Sequence, residues 1–166
     1  MDIEKRLAGV CGLFCPACTI YIATTEEPKR LRGIAERKNL SVEQVRCYGC
    51  GSDQRYPFCE TCVMYRCAGE KRLEFCGECG QYPCRDLQEF KVARPHRIEL
   101  WESQRMIKEK GFEYWFREML EHYRCPSCGT LNSAYDLSCR NCGASPSCRY
   151  VQLHWDEITN YLSSEK

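Results

Sequence analysis

The chain has no long apolar run. No stretch approaches the roughly 18–20 apolar residues that a bilayer-spanning helix needs. The start, Met1-Asp2-Ile3-Glu4-Lys5-Arg6, is charged and no apolar segment follows it, so no secretory signal is expected. Catalytic signatures are equally scarce. The three histidines, His96, His122 and His154, stand apart from the cysteine pairs, and neither His-x-Glu nor His-Glu-x-x-His occurs. There is no phosphate-binding loop, no paired-carboxylate signature and no serine elbow. Net charge is small, formally +1. These absences argue against a membrane protein and against the common hydrolases. The reading leans away from an enzyme.

Cysteine is what the chain has in excess, 16 in 166 residues. Six Cys-x-x-Cys pairs account for twelve of them: Cys15/Cys18, Cys47/Cys50, Cys59/Cys62, Cys76/Cys79, Cys125/Cys128 and Cys139/Cys142. Two intervening residues let one tight turn aim two sulfurs at one ion, and a tetrahedral zinc site takes two such turns. Without a secretory signal the expected address is cytoplasmic, where thiols stay reduced and this spacing favours metal over disulfides. Three zinc sites are expected. Twelve bound thiolates and three zinc ions would carry the formal charge from +1 to about −5, against non-specific nucleic-acid binding through net charge.

Cys125 to Cys142 spans 18 residues and holds two knuckles joined by ten residues, the layout of a zinc ribbon that closes on itself. The other four pairs must make two sites. Sequential use joins Cys15/Cys18 with Cys47/Cys50, and Cys59/Cys62 with Cys76/Cys79. Interleaved use joins Cys15/Cys18 with Cys59/Cys62, and Cys47/Cys50 with Cys76/Cys79. The interleaved form is preferred, since it would knit a core-poor segment together. Cys148 reads as a bystander. Cys11, Cys67 and Cys84 interrupt the pairing and are further candidate ligands.

Several sharper chemistries compete. Cys11, Cys15 and Cys18 have the Cys-x3-Cys-x2-Cys spacing of radical-SAM enzymes, but the chain lacks the length and pattern of that barrel. The same three with Cys84 would satisfy a [4Fe–4S] cluster. Cys67 beside Arg66 and Cys84 beside Arg85 could ionise as nucleophiles, although a ligand or packed thiol is the preferred reading. Lys29, Arg30, Arg32, Arg37 and Lys38 form a basic stretch near Tyr21, Tyr48, Tyr56 and Phe58, a pattern compatible with nucleic acid but diluted by Glu26, Glu27 and Glu36.

Periodicity gives the remaining layout. A short helix is expected over Thr19 to Ala23, and Pro28 starts a helix to Lys38. Ser41 and Gln44 have capping-box spacing. Knuckles, turns and short strands are expected from Cys47 to Cys84, with another helix beginning at Pro83 to Leu87. Ile98 to Lys110 reads as a helix stopping at Gly111. Phe112, Trp115, Phe116, Met119, Leu120 and Tyr123 form one helical stripe, read as core rather than as a partner face. Val151, Trp155, Ile158 and Leu162 suggest a closing helix after a flexible stretch from Gly143 to Ser147. The expected fold is a small α+β, metal-stabilised chain: a Cys-rich domain over 1–92, a helical hairpin over 93–123, and a zinc ribbon with a closing helix over 124–166.

Cys11-Gly12-Leu13-x-Cys15-x-x-Cys18-x-x-Tyr21, Cys47-x-Gly49-Cys50, Arg66-Cys67-Ala68 and Phe75-Cys76-Gly77-Glu78-Cys79-x-x-Tyr82-Pro83-Cys84 occur in this order. This series resembles a cysteine-rich bacterial and archaeal family of unknown function, regarded as zinc-binding. The resemblance covers about residues 8–92. Gly111-Phe112-Glu113-x-Trp115 followed by a ribbon is similar to its longer members. It implies metal ligands, Cys11, Cys67 and Cys84 among the candidates, and a prokaryotic cytoplasm, but no reaction. The leading expectation is a non-catalytic zinc protein, a protein-recognition or regulatory module, with a nucleic-acid-binding zinc protein or an iron–sulfur redox or sensor protein as alternatives.

Overall fold

The computed structural model describes residues 5–91 and 94–164. The charged start at residues 1–4 lies outside them. Among the described residues the chain is helical and has no sheet; the β contacts are isolated bridges, Ala8 with Phe14 and Arg124 with Leu131. The expected α+β class is therefore wrong. Its error lies in two places. Strands were expected between Cys47 and Cys84, where helices stand instead. A ribbon was expected at residues 125–143, where a hairpin arm never forms.

Helices α1 (Thr19–Thr25) and α2 (Pro28–Lys38) follow the first cysteine turn. Pro28 opens α2, and Asn39 closes it at φ 51°. Helix α3 (Val42–Val45) carries the capping box: the Gln44 backbone N–H donates to Ser41 Oγ at 3.2 Å, and the Ser41 N–H donates to Gln44 Oε1 at 2.8 Å. Ala23, Leu31, Ile34, Ala35 and Val45 bury a small core among these helices.

Helices α4 (Pro57–Glu60) and α5 (Val63–Lys71) occupy the segment read as knuckles and strands. Their sequence explains this. Met64, Arg66, Ala68, Glu70 and Lys71 are straight-chain or small residues with good helix propensity. Helix α6 (Arg85–Lys91) follows Cys84 and packs its fully buried Leu87 with Cys11, Met64 and Leu100.

Helices α7 (Leu100–Lys110) and α8 (Phe112–Tyr123) form the expected hairpin around Gly111, whose φ of 87° favours glycine. Trp115, Phe116, Met119 and Tyr123 are buried, so the α8 stripe is core. Phe14 inserts into this face, edge-on to Trp115 and Phe116 at 5.9 and 5.2 Å and stacked on Tyr123 at 5.9 Å. The first cysteine loop is thus anchored on the hairpin.

The tail is two helices, α9 (Arg149–Leu153) and α10 (Trp155–Ser164), rather than one. Val151 and Ile158 are fully buried, but Trp155 is 38% exposed and departs from the expected stripe. Cys148 packs in the same core as Tyr150 and Val151. No helix among the described residues is long and apolar enough to cross a membrane.

Candidate metal centre

Two turns of identical construction meet at the C-terminal cysteines. In the first, the Cys125 N–H donates to Thr130 O at 2.8 Å and the Gly129 N–H to Cys125 O at 2.9 Å. In the second, Cys139 N–H donates to Ala144 O at 2.8 Å and Gly143 N–H to Cys139 O at 2.9 Å. Gly129 and Gly143 take φ of 76° and 75°, a region that costs a side-chain-bearing residue about 1–2 kcal/mol. The turns face each other with Cys125 Sγ 3.7 Å from Cys142 Sγ and Cys128 Sγ 3.6 Å from Cys139 Sγ. All four sulfurs lie within 4.8 Å of one another, so the set could hold a metal ion.

Metal binding needs thiolates, and the surroundings favour them at Cys128 and Cys139. At Cys142 the Ala144 N–H, which favours the thiolate, is outweighed by the neighbouring sulfurs, and the thiol is pushed up to about 12. The Thr130 hydroxyl, 3.3 Å from Cys128 Sγ, and the Thr130 backbone draw the Cys128 thiol down to about 5. Burial opposes ionisation of Cys139, but backbone N–H groups of Cys142 and Asn141 overcome it and lower its pKa.

Asn132, which sequence reasoning missed, supports the site from within. It is fully buried. Its Nδ2 donates to Thr130 O at 2.9 Å and Ser147 O at 3.3 Å, and lies 3.7 Å from Cys139 Sγ. Its Oδ1 accepts from Arg140 N–H at 3.0 Å. Ser133 N–H donates to Asp136 Oδ2 at 2.8 Å. Side chains of Asn132, Ser133 and Asp136 therefore take backbone partners that a hairpin ladder would have used, which is why the linking residues turn and do not pair as strands. An Asn-Ser run after a Cys-x-x-Cys-Gly-Thr turn is the available sequence signal, and it is weak.

The N-terminal cysteines gather in two neighbourhoods. Cys15 and Cys18 stand beside Cys47 and Cys50, with the Cys50 N–H donating to Cys15 Sγ at 3.3 Å. Burial, then the neighbouring Cys18, Cys47 and Cys50, raise the Cys59 thiol. Burial, then the neighbouring Cys50, Cys62 and Cys76, also raise the Cys11 thiol. Cys67, Cys76, Cys79 and Cys84 line one cavity. Cys76 and Cys79 thus share their surroundings with Cys67 and Cys84, the two cysteines outside the pairing. Cys11 and Cys84 pack in one apolar cluster, while Cys15 and Cys18 lie with the other group.

The basic helix α2 faces the C-terminal turns. Arg30 Nη2 donates to Asp136 Oδ1 at 2.8 Å and Arg30 Nη1 to Glu27 Oε2 at 3.1 Å. Arg140 Nη1 donates to Glu27 Oε1 at 3.2 Å, and its Nη2 pairs with Glu26. Arg30 is thereby taken from the basic stretch that could meet nucleic acid.

The profile of the family described as protein of unknown function (DUF3795) matches residues 7–89, half of the chain. The chain belongs to this family. The family segment contains every N-terminal cysteine and ends inside α6; the C-terminal four-cysteine set lies outside it. No curated protein matches the chain. No solved structure matches it.

Proposed function

We propose that the chain is a metal-stabilised, non-catalytic module for recognising another protein, with zinc in the set Cys125, Cys128, Cys139 and Cys142. The spacing of those sulfurs carries the reading. A tetrahedral ion with metal–sulfur bonds of ~2.3 Å separates its ligands by ~3.8 Å; two of the sulfur pairs stand at 3.7 and 3.6 Å, and all four sulfurs lie within 4.8 Å. Four soft thiolates suit zinc and leave no open position for a substrate. Binding free energy at such a site, on the order of 10 kcal/mol, becomes folding energy.

A surface for recognition is available beside the N-terminal cysteines. Phe58 and Val63, 56% and 43% exposed, flank the Cys59 to Cys62 turn. Large apolar groups exposed side by side suit a protein partner better than a charged polymer.

Elemental analysis of the purified chain tests the metal assignment: zinc should be present and should fall by about one per chain in Cys128→Ser, as one tetrahedral site requires. Unchanged zinc in that variant would refute it. The recognition role predicts that Phe58→Asp with Val63→Asp abolishes complexes trapped by cross-linking in the native cell while the fold is kept. A transferase or hydrolase activity lost on one non-ligand substitution would overturn it.

A further inference from the structure

The four thiols around the α5–α6 cavity are built differently from the C-terminal set. Cys67 comes from α5, Cys76 and Cys79 from the turn that follows, and Cys84 from the residue before α6. Together they line a cavity of about 90 Å³. The C-terminal four sulfurs all lie within 4.8 Å of one another, and among the described residues no N-terminal set of three or more forms a comparable group. A single zinc ion would draw its ligands to ~3.8 Å. The same chain therefore holds one set at single-ion spacing and another spread around a hollow.

Its surroundings are also distinctive. Buried Met64, Ala68 and Leu87 line the cavity. Lys71 Nζ lies 3.5 Å from Cys79 Sγ and 3.0 Å from Gln81 Oε1 at its rim. The Cys76–Cys79 turn is held from behind by Gln104, whose Oε1 accepts from the Gly77 N–H at 2.7 Å. Asp86 also lines the cavity, its charge balanced by Lys71, and a largely apolar hollow with four thiols suits a polynuclear centre. A four-iron cubane places its own irons and sulfides between the thiolates and holds them well apart, and hydrogen bonds and charges at its sulfurs tune it.

We infer that Cys67, Cys76, Cys79 and Cys84 ligate a [4Fe–4S] cluster in the cavity between α5 and α6. This goes beyond the zinc reading of the C-terminal set, and the two centres can be lost separately.

The full chain, purified without oxygen and reconstituted with ferric iron, a thiol reductant and sulfide, tests it by iron, sulfide and zinc content and by visible absorption. Expected is a broad visible absorption, with Cys67→Ser and Cys84→Ser each losing about four iron and four sulfide per chain while C-terminal zinc is kept. Iron content unchanged in both variants would overturn the assignment, as would zinc in wild type that falls by about one per chain in Cys84→Ser. Should either serine variant fail to fold, Lys71→Met supplies an independent reading. It should keep the iron and lower the reduction potential, because an ammonium near the anionic cluster is removed. An unmoved potential would refute the placement.

Discussion

Arg30 and Asp136, 106 residues apart, meet at 2.8 Å through Nη2 and Oδ1. The contact fastens α2 to the loop between the two C-terminal turns. Asp136 also accepts from the Ser133 N–H, so one carboxylate orders the loop and receives the helix. The pair is partly shielded, with side-chain exposures of 25% and 12%. A double-mutant cycle with Arg30→Ala and Asp136→Ala should return a coupling energy of about 1–2 kcal/mol in urea unfolding. A coupling near zero would mean that the two segments are held together by other contacts.

Asn132 should control metal affinity without being a ligand. Asn132→Ala removes the amide beside Cys139 Sγ and leaves Thr130 O, Ser147 O and the Arg140 N–H without it. Loss of such an outer partner weakens a metal site about 10- to 100-fold. Competition against a chromophoric chelator should show that drop, while Asn160→Ala, at a surface position of α10, should leave affinity unchanged.

A methyl group at Gly77 would displace the Gln104 amide from its hydrogen bonds to the Gly77 N–H and Val10 O. A Cβ there would stand 2.6 Å from Gln104 Oε1. Gly77→Ala should destabilise the fold by about 1–3 kcal/mol through overpacking. Gln104→Leu should lose about 1–3 kcal/mol as well, because the Gly77 N–H loses its acceptor in the interior, while Val10 O keeps the Cys76 N–H. Denaturant titration reads both. Wild-type stability in Gln104→Leu would show that water replaces the amide.

Glu99 joins two histidines: its Oε2 lies 2.8 Å from His122 Nε2 and its Oε1 2.7 Å from His154 Nε2. Burial pushes the Glu99 carboxyl up, but the hydrogen bonds and charges of His122 and His154 outweigh it and hold its pKa below the usual value of 4.5. A depressed folded pKa stabilises the fold above the unfolded value, and this contribution disappears as pH falls through the folded one. Glu99→Gln should therefore lose about 2 kcal/mol near neutral pH, and the difference from wild type should shrink as pH falls below about 4. Melting curves across pH test it. A pH-independent difference would point to packing instead of charge.

Local rules reached far along this chain. Pro28, the Ser41–Gln44 box and Gly111 marked helix boundaries because capping and φ preferences act within a few residues. The α8 stripe was legible because 3.6-residue periodicity depends only on neighbours along one helix. The C-terminal set was legible because both of its turns lie within 18 residues. The missing sheet was not. Strand pairing depends on which partner each backbone group finds, and here Asn132, Ser133 and Asp136 supply partners from side chains.

By itself, then, the sequence determined the thiol turns, most helix limits and the apolar face of the hairpin, since each rests on spacing or on a residue's own conformational limits. Only the tertiary structure decided which cysteines share a neighbourhood. Bringing Cys67 and Cys84 to Cys76 and Cys79 takes the packing of α5 against α6 over Leu87. Aiming the turn between them takes Gln104, 27 residues beyond Gly77. Such contacts depend on how separate elements close on one another, which residue spacing along the chain does not encode.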